Sequence, residues 1–215
     1  MRLLLTSAGI QNAEIGNAIV RLVKKPVSDI KIVFIPTAAT EWAAWIEEDV
    51  KHFQEFGFKS LEIVDISKMS KDKWLPYFEA ADLLCFGGGS EFRLMHYVQE
   101  SGLGTILHEL MKTKVYMGIS AGSMIACPTL FVDVSHRLYN ESTDLTSNVK
   151  GFGFVNFQFF PHLNSAFFPI TEKTATEWAE KSLLPTYATD DMTAIEVNNG
   201  IVTVVGTGVH IEVNV

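Results

Sequence analysis

Val115-Tyr116-Met117-Gly118-Ile119-Ser120-Ala121-Gly122-Ser123-Met124 is the stretch around which the rest of the chain is interpreted. Its first three residues are apolar and predict a short buried strand, and the residues from Ser123 onward predict the start of a helix. The five residues between them fit the pattern G-x-S-x-G. A strand, a tight turn and a helix hold a serine hydroxyl exposed on a strained backbone, where it can act as a nucleophile. The segment therefore predicts a nucleophile elbow at Ser120, and a turn without chemistry is the alternative.

Two glycines in this segment have a steric reason to be there. A side chain at Gly118 or Gly122 would collide with neighbouring backbone where the strand turns into the helix. The helix that follows also directs its free N–H groups back toward Ser120, which favours negative charge developing there.

Length and composition are those of an ordinary globular protein. The 215 residues are 47% hydrophobic and 20% charged, and we expect one domain over 1–215. No apolar run reaches about 20 residues, so no membrane partner is expected. The net charge of −8 argues against a nucleic acid partner. Cys85 and Cys127 predict buried core thiols in a cytoplasmic protein, which we expect to be a monomer or homodimer.

Apolar strands alternate with amphipathic helices through the first half of the chain. This alternation predicts an α/β fold with an open, mostly parallel sheet and helices on both faces, in which reactive groups collect at the carboxyl ends of the strands. The predicted strands are Leu3–Ser7, Lys31–Pro36, Lys59–Ile66 and Asp82–Phe86, and the predicted helices are Asn12–Lys25, Glu41–Phe56, Ser70–Ala81, Glu91–Gln99 and Leu103–Met111.

The C-terminal part of the chain has a different pattern. Thr193–Val197, Ile201–Val205 and Val209–Val213 alternate apolar and polar residues, and Asn198-Asn199-Gly200 is typical of a hairpin turn. These residues predict an antiparallel C-terminal edge. Between the elbow and this region, His136–Phe152 is polar and irregular, which predicts a surface excursion near the site.

A serine nucleophile needs a general base, and the chain has six histidines. His162 follows an apolar run where a strand would end, and His210 lies in the last predicted strand. We regard these two as the candidates for the base. The others are less suitable, because three lie inside helix patterns and one lies in the irregular region: His52, His96, His108 and His136.

The acid and the oxyanion donors also come from predicted strand ends. Asp190 and Asp191 follow Tyr187-Ala188-Thr189, and Gly87-Gly88-Gly89 follows the fourth strand with backbone N–H groups free to face a substrate carbonyl. The residues alone therefore leave two catalytic triads possible. One is Ser120–His162–Asp191, and the other, Ser120–Asp191–His210, has the order of α/β-hydrolase esterases.

Several motifs together resemble one serine peptidase family. Gly87 to Leu94, Gly118 to Ser123, Cys127-Pro128-Thr129 and Phe160-Pro161-His162-Leu163 are similar to successive motifs of the family of peptidase E (aspartyl dipeptidase) and cyanophycinase. The resemblance covers most of the chain.

The resemblance implies a flavodoxin-like sheet, as in class I glutamine amidotransferases, with serine in place of their cysteine. It implies Ser120 as nucleophile, His162 as base and Asp191 as the third member of the triad. It also implies a small peptide substrate. In the resulting mechanism we expect the oxyanion hole to consist of the backbone N–H groups of Gly88 or Gly89 and of Ala121. We expect no cofactor or metal, because the sequence shows no cluster of zinc ligands.

The sequence departs from the family pattern in places that bear on the substrate. Ser90 and Phe160 replace asparagines, and Asp191 stands where the dipeptidase has glutamate, with Asp190 beside it. Thr171–Trp178 lacks the arginine that would pair with an aspartate side chain, so we expect a neutral or basic side chain instead. These departures leave one alternative, a catalytically silent small-molecule-binding module on the same fold. A further hypothesis is an amidotransferase-like enzyme that uses Cys85 or Cys127, although neither cysteine lies at the elbow.

Overall fold

The structure is a computed structural model that describes residues 1–40 and 44–215. Its strands are β1 (Arg2–Thr6), β2 (Lys31–Ile35), β3 (Ser60–Ile63), β4 (Leu83–Phe86), β5 (Val115–Ile119), β6 (Thr129–Leu130), β7 (Val149–Lys150), β8 (Gln158–Phe160), β9 (Thr186–Thr189), β10 (Thr193–Asn198), β11 (Ile201–Gly206) and β12 (His210–Val213). Its α-helices are α1 (Ala13–Val23), α2 (Ala44–Phe56), α3 (Lys71–Ala80), α4 (Glu91–Glu100), α5 (Leu107–Leu110), α6 (Ala121–Met124), α7 (Val132–Leu138) and α8 (Glu172–Ser182). The first three residues of the predicted helix Glu41–Phe56 lie outside the described residues.

The central sheet has seven strands in the order β11-β10-β1-β5-β4-β2-β3. The five strands from β1 to β3 in this order pair in parallel, whereas β10 pairs antiparallel with β1 and with β11. This confirms the predicted α/β fold with a mostly parallel sheet and an antiparallel C-terminal edge. The arrangement resembles that of class I glutamine amidotransferases.

Both faces of this sheet are covered, which explains the near-continuous apolar strands. Leu3 and Leu5 of β1 pack into a core on one face, and Leu4 between them packs into a second core on the other. Because successive side chains of a strand point to opposite faces, a strand that is buried on both sides must be apolar throughout. No described helix is long and apolar enough to cross a membrane.

A second, smaller sheet has the order β12-β9-β8, with β9 parallel to β8 and antiparallel to β12. The predicted strand Val209–Val213 therefore belongs to this sheet and not to the hairpin edge of the central one. The reason lies in the turn after β11, where the Asp190 carboxylate accepts the N–H of Val209 at 2.8 Å and holds the chain beside β9.

Two further predictions need correction. The predicted helix Leu103–Met111 is a 3₁₀ turn, Leu103–Thr105, followed by the short helix α5. The segment His136–Phe152 is irregular only in part, because His136 lies in α7 and Val149–Lys150 forms β7. Helix α7 forms because Val132, Val134 and Leu138 are buried against neighbouring elements.

The registers place the carboxyl ends of the parallel strands side by side. Thr6 is opposite Ile119, and Gly118 is opposite Phe86, so the residues that follow β1, β5 and β4 share one edge of the sheet. The ends of β8 and β9 reach the same edge, because the hydroxyl of Ser7 contacts both the backbone N–H of His162, just after β8, and Thr189, the last residue of β9. Residues from both sheets therefore meet there.

Candidate active site

Ser120 lies at a sharp turn between β5 and α6, with a strained backbone. Its φ is 50° and its ψ is −111°, a conformation that a residue with a side chain rarely adopts. A Cβ added to Gly118 would meet the backbone nitrogen of Ser123, and one added to Gly122 would meet the carbonyl oxygen of Phe86. The steric role predicted for both glycines is thus confirmed, since only a hydrogen fits at either position.

The turn is fixed to β1 by a buried hydroxyl. Ser123 Oγ donates to the carbonyl of Thr6 at 2.8 Å and accepts the N–H of Thr6 at 2.9 Å. The N–H of Ser120 donates to the same carbonyl at 2.9 Å. Because the first residue after the strand and the start of α6 are bound to one residue of β1, the hydroxyl of Ser120 is held at the edge of the sheet.

The side chains of Ser120, His162 and Asp191 form one hydrogen-bonded chain. Ser120 Oγ lies 3.0 Å from Nε2 of His162, and Nδ1 of His162 lies 2.7 Å from Oδ1 of Asp191. The imidazole of His162 is 14% exposed and the Asp191 side chain is 45% exposed, so the base is more enclosed than the acid. A partly buried base bonded on one side to a hydroxyl and on the other to a carboxylate can remove a proton from the hydroxyl.

The imidazole is held by aromatic neighbours as well as by hydrogen bonds. The ring of Phe168 stacks on that of His162 with 4.8 Å between centroids and an interplanar angle of 26°. The hydroxyl of Tyr139 donates to the carbonyl of Pro161 at 3.2 Å, and its ring packs on Phe168 at 5.7 Å. These contacts fix the segment that carries the histidine, and neither aromatic was singled out from the sequence.

The two adjacent aspartates have different partners. The carboxylate of Asp190 accepts the N–H groups of Met192 at 3.0 Å and Val209 at 2.8 Å, so it closes the turn between β9 and β10. The carboxylate of Asp191 points to His162 instead. Geometry therefore distinguishes two residues that the sequence left equivalent.

The alternative base, His210, lies one strand further away. It starts β12 opposite Thr189, and β9 separates that strand from β8, after which His162 follows. Its Nε2 lies 3.4 Å from the carboxylate of Glu212 on the same strand. The position next to Ser120 is occupied by the imidazole of His162, and the structure does not bring His210 into that group.

The predicted oxyanion donors lie around Ser120. A Cβ added to Gly88 would lie 3.4 Å from Cβ of Ser120, so the glycine loop passes close beside the serine. In the described part of the chain, the amide N–H groups of Gly88, Gly89 and Ala121 have no intramolecular acceptor. Such N–H groups are available to an anionic oxygen.

The cysteines are unsuited to nucleophilic chemistry. Cys85 and Cys127 are both buried, and burial raises the pKa of Cys127 to about 12 and that of Cys85 well above its usual range. A thiol of this kind carries almost no thiolate at neutral pH. Among residues 1–40 and 44–215, no group of three or more metal-ligating side chains comes together.

Two buried carboxyls with shifted pKa values were not identified from the sequence. Burial raises the pKa of Glu91, the first residue of α4, from 4.5 to about 7, and it raises that of Asp49 on α2 from 3.8 to about 7. In sequence both look like the solvated acids of a helix. Only their packing against other elements distinguishes them.

The sequence is similar to those of known peptidases. The chain is 31% identical over 155 residues to an uncharacterized peptidase of Listeria monocytogenes, covering 70% of this chain and 75% of that protein. It is 30% identical over 145 residues to a peptidase E of a Nostoc species, covering 65% of this chain and 54% of the relative.

Solved structures share the fold. A candidate peptidase E protein from Listeria monocytogenes superposes with a TM-score of 0.75 and 24% identity, covering 96% of this chain and 98% of that one. A peptidase from an actinobacterium has a TM-score of 0.70 and 20% identity, covering 97% and 88%. The model of peptidase family S51 matches residues 3–205. The chain therefore belongs to peptidase family S51, a family of serine peptidases.

Proposed function

We propose that this protein cleaves small peptides through an acyl-enzyme on Ser120, with His162 as general base and Asp191 as the acid that orients it. The observation that carries the proposal is the contact of 3.0 Å between Ser120 Oγ and His162 Nε2. Family membership supports serine peptidase chemistry, and the geometry supports these three residues as the ones that perform it.

The hydrogen bonds among Ser120, His162 and Asp191 assign a role to each of the bonded atoms. Asp191 accepts a hydrogen from Nδ1 of His162, which leaves the lone pair of Nε2 facing the hydroxyl of Ser120. As Oγ attacks a peptide carbonyl, Nε2 takes its proton, and the imidazolium is stabilised by the carboxylate. His162 then gives that proton to the leaving amine, and water cleaves the acyl-enzyme by the same route in reverse.

The oxyanion of the tetrahedral intermediate needs donors on the other side of Ser120. The free N–H groups of Gly88 or Gly89 and of Ala121 are suited to this role, because they belong to backbone that is already fixed. Donors that need no rearrangement are worth about 3 kcal/mol of barrier each in such sites.

The substrate preference we propose is a neutral or basic first residue. The helix that follows the histidine segment, α8, carries Glu172, Glu177 and Glu180 and no arginine. Its Lys181 lies over the ring of Trp178, 4.5 Å from the centroid, and is thereby engaged within the helix. This helix offers an aspartate side chain no planar guanidinium partner.

Labelling with a fluorophosphonate probe tests the catalytic assignment. We expect the wild-type protein to be labelled and Ser120→Ala to remain unlabelled. His162→Ala should lose labelling, whereas His210→Ala, which removes the alternative base, should retain it. Equal labelling of wild type and Ser120→Ala would refute the nucleophile, and loss only in His210→Ala would favour the esterase order.

A panel of dipeptides varied at the first residue tests the substrate. The proposal would be supported if the wild type hydrolyses dipeptides with a neutral or basic first residue and Ser120→Ala does not. Turnover confined to aspartate would refute the preference but not the mechanism. Saturable binding of dipeptides without turnover in the wild type would refute hydrolysis and favour a binding module.

A further inference from the structure

Ser7 lies directly after β1, at the point where the two sheets meet. Its side chain is fully buried. Its hydroxyl accepts the backbone N–H of His162 at 3.0 Å and donates to the carbonyl of Thr189 at 2.9 Å. The Oγ1 atom of Thr189 lies 2.9 Å from the same oxygen. One hydroxyl thus contacts both the residue that carries the base and the last residue of β9, which leads to Asp191.

These three contacts use the full capacity of a hydroxyl group, which has one hydrogen and two lone pairs. The hydrogen of Ser7 goes to the carbonyl of Thr189. One lone pair accepts the N–H of His162, and the other accepts the hydroxyl hydrogen of Thr189. Because every donor and acceptor is used, the hydroxyl has one preferred orientation in this buried position.

The backbone of His162 needs such support because its conformation is unfavourable. Its φ is 66°, in the left-handed region that residues other than glycine rarely adopt. The next residue, Leu163, donates its N–H to the carbonyl of Thr189 at 2.9 Å. Two successive N–H groups of this turn are therefore held by the pair Ser7 and Thr189, and the direction of the imidazole follows from that turn.

We propose that Ser7 is a positioning residue of the catalytic apparatus, which sets the place of the His162 imidazole relative to Ser120 and Asp191 by joining the ends of β1, β8 and β9. The inference depends on the proposed function, since it assumes that His162 is the base. Ser7 itself touches no reacting atom. A base displaced by about 1 Å can lose about 100-fold in rate, so a buried hydroxyl that fixes a backbone turn has a kinetic effect.

A purely structural role would have a different signature. A buried serine that only satisfies hydrogen bonds would, when replaced by alanine, lower the free energy of unfolding and leave the folded protein fully active. Thr186 provides the matched control. It is also fully buried, lies at the opposite end of β9, and its hydroxyl donates to the carbonyl of Leu184 at 3.1 Å.

The experiment compares Ser7→Ala, Ser7→Thr and Thr186→Val with the wild type, by thermal unfolding and by the fluorophosphonate labelling rate well below the unfolding midpoint. For Ser7→Ala we expect a labelling rate lower by about 100-fold, with partial recovery in Ser7→Thr because it restores the hydroxyl. On the dipeptide substrate, kcat should fall while KM stays unchanged. Thr186→Val should lower the unfolding midpoint and leave the labelling rate unchanged.

A folded Ser7→Ala protein that is labelled at the wild-type rate would overturn the proposal. If Ser7→Ala does not fold, Ser7→Cys decides, because a thiol fills the buried space of the hydroxyl but accepts a backbone N–H only weakly. A lowered labelling rate in folded Ser7→Cys supports the proposal, and an unchanged one overturns it. Labelling of Ser120→Ala would instead mean that the proposed function has failed, so the two failures are distinguishable.

Discussion

The substitution Glu91→Gln is expected to change how the stability of this protein depends on pH. Glu91 is 2% exposed at the start of α4, and the hydroxyl of Ser135 on α7 donates to its carboxyl group. Burial, together with the nearby charge of Glu141, raises the pKa of Glu91 to about 7, although the hydrogen bond from Ser135 acts in the opposite direction. Glutamine has the same shape and does not titrate, so it removes the proton uptake with little change in packing.

The sign and the size follow from the two pKa values. The unfolded chain releases this proton near pH 4.5, whereas the folded protein keeps it until about pH 7. Between these values the folded state binds more protons, so the free energy of unfolding falls as pH rises, and the loss is complete above about pH 7. The interval corresponds to about 3 kcal/mol at about 1.4 kcal/mol per pH unit.

Urea unfolding at a series of pH values from about 4.5 to about 8 measures this pH-dependent loss of the free energy of unfolding. The wild type should lose stability across the range, and Glu91→Gln should lose about 3 kcal/mol less. Asp49→Asn is the matched control, because the pKa of Asp49 is also raised to about 7. This substitution should remove the contribution of Asp49 to the pH dependence without changing that of Glu91. Asp65 and Asp82, whose pKa values are lowered, lose their contribution only as pH falls below 3.8. The reasoning is refuted if wild type and Glu91→Gln lose equal stability between the two ends of the range.

Three further predictions concern the elbow, the two adjacent aspartates and a buried thiol. Gly122→Ala should lower the unfolding midpoint and the labelling rate together, because its Cβ would collide with the carbonyl oxygen of Phe86; unchanged values in both would contradict the steric argument. Asp191→Asn should lower kcat by about 10⁴-fold at unchanged stability, whereas Asp190→Asn should lower stability and leave kcat intact, and exchanged effects would reverse the assignment. Cys127 should react with a thiol reagent only on unfolding, since burial raises its pKa to about 12; rapid modification of the native protein would show otherwise.

The sequence was informative wherever local chemistry constrains the backbone. Strands buried on both faces must be apolar throughout, so short apolar runs in the sequence were enough to predict β1, β2, β4 and β5. The elbow could also be predicted, because Gly118 and Gly122 are required wherever neighbouring backbone excludes a Cβ. These are properties of a few consecutive residues, and a sequence pattern contains them directly.

The tertiary structure decided which distant residues share the edge of the sheet. His162 and His210 each lie at a predicted strand position, but the order β12-β9-β8 places only His162 against Ser120. Asp190 and Asp191 lie in the same turn, but their side chains point in different directions, and only that of Asp191 points to His162. Strand order and side-chain direction depend on the packing of segments far apart in the chain, so no local pattern determines them. For the same reason the roles of Ser7 and Glu91 became visible only when their partners on β9 and α7 were known.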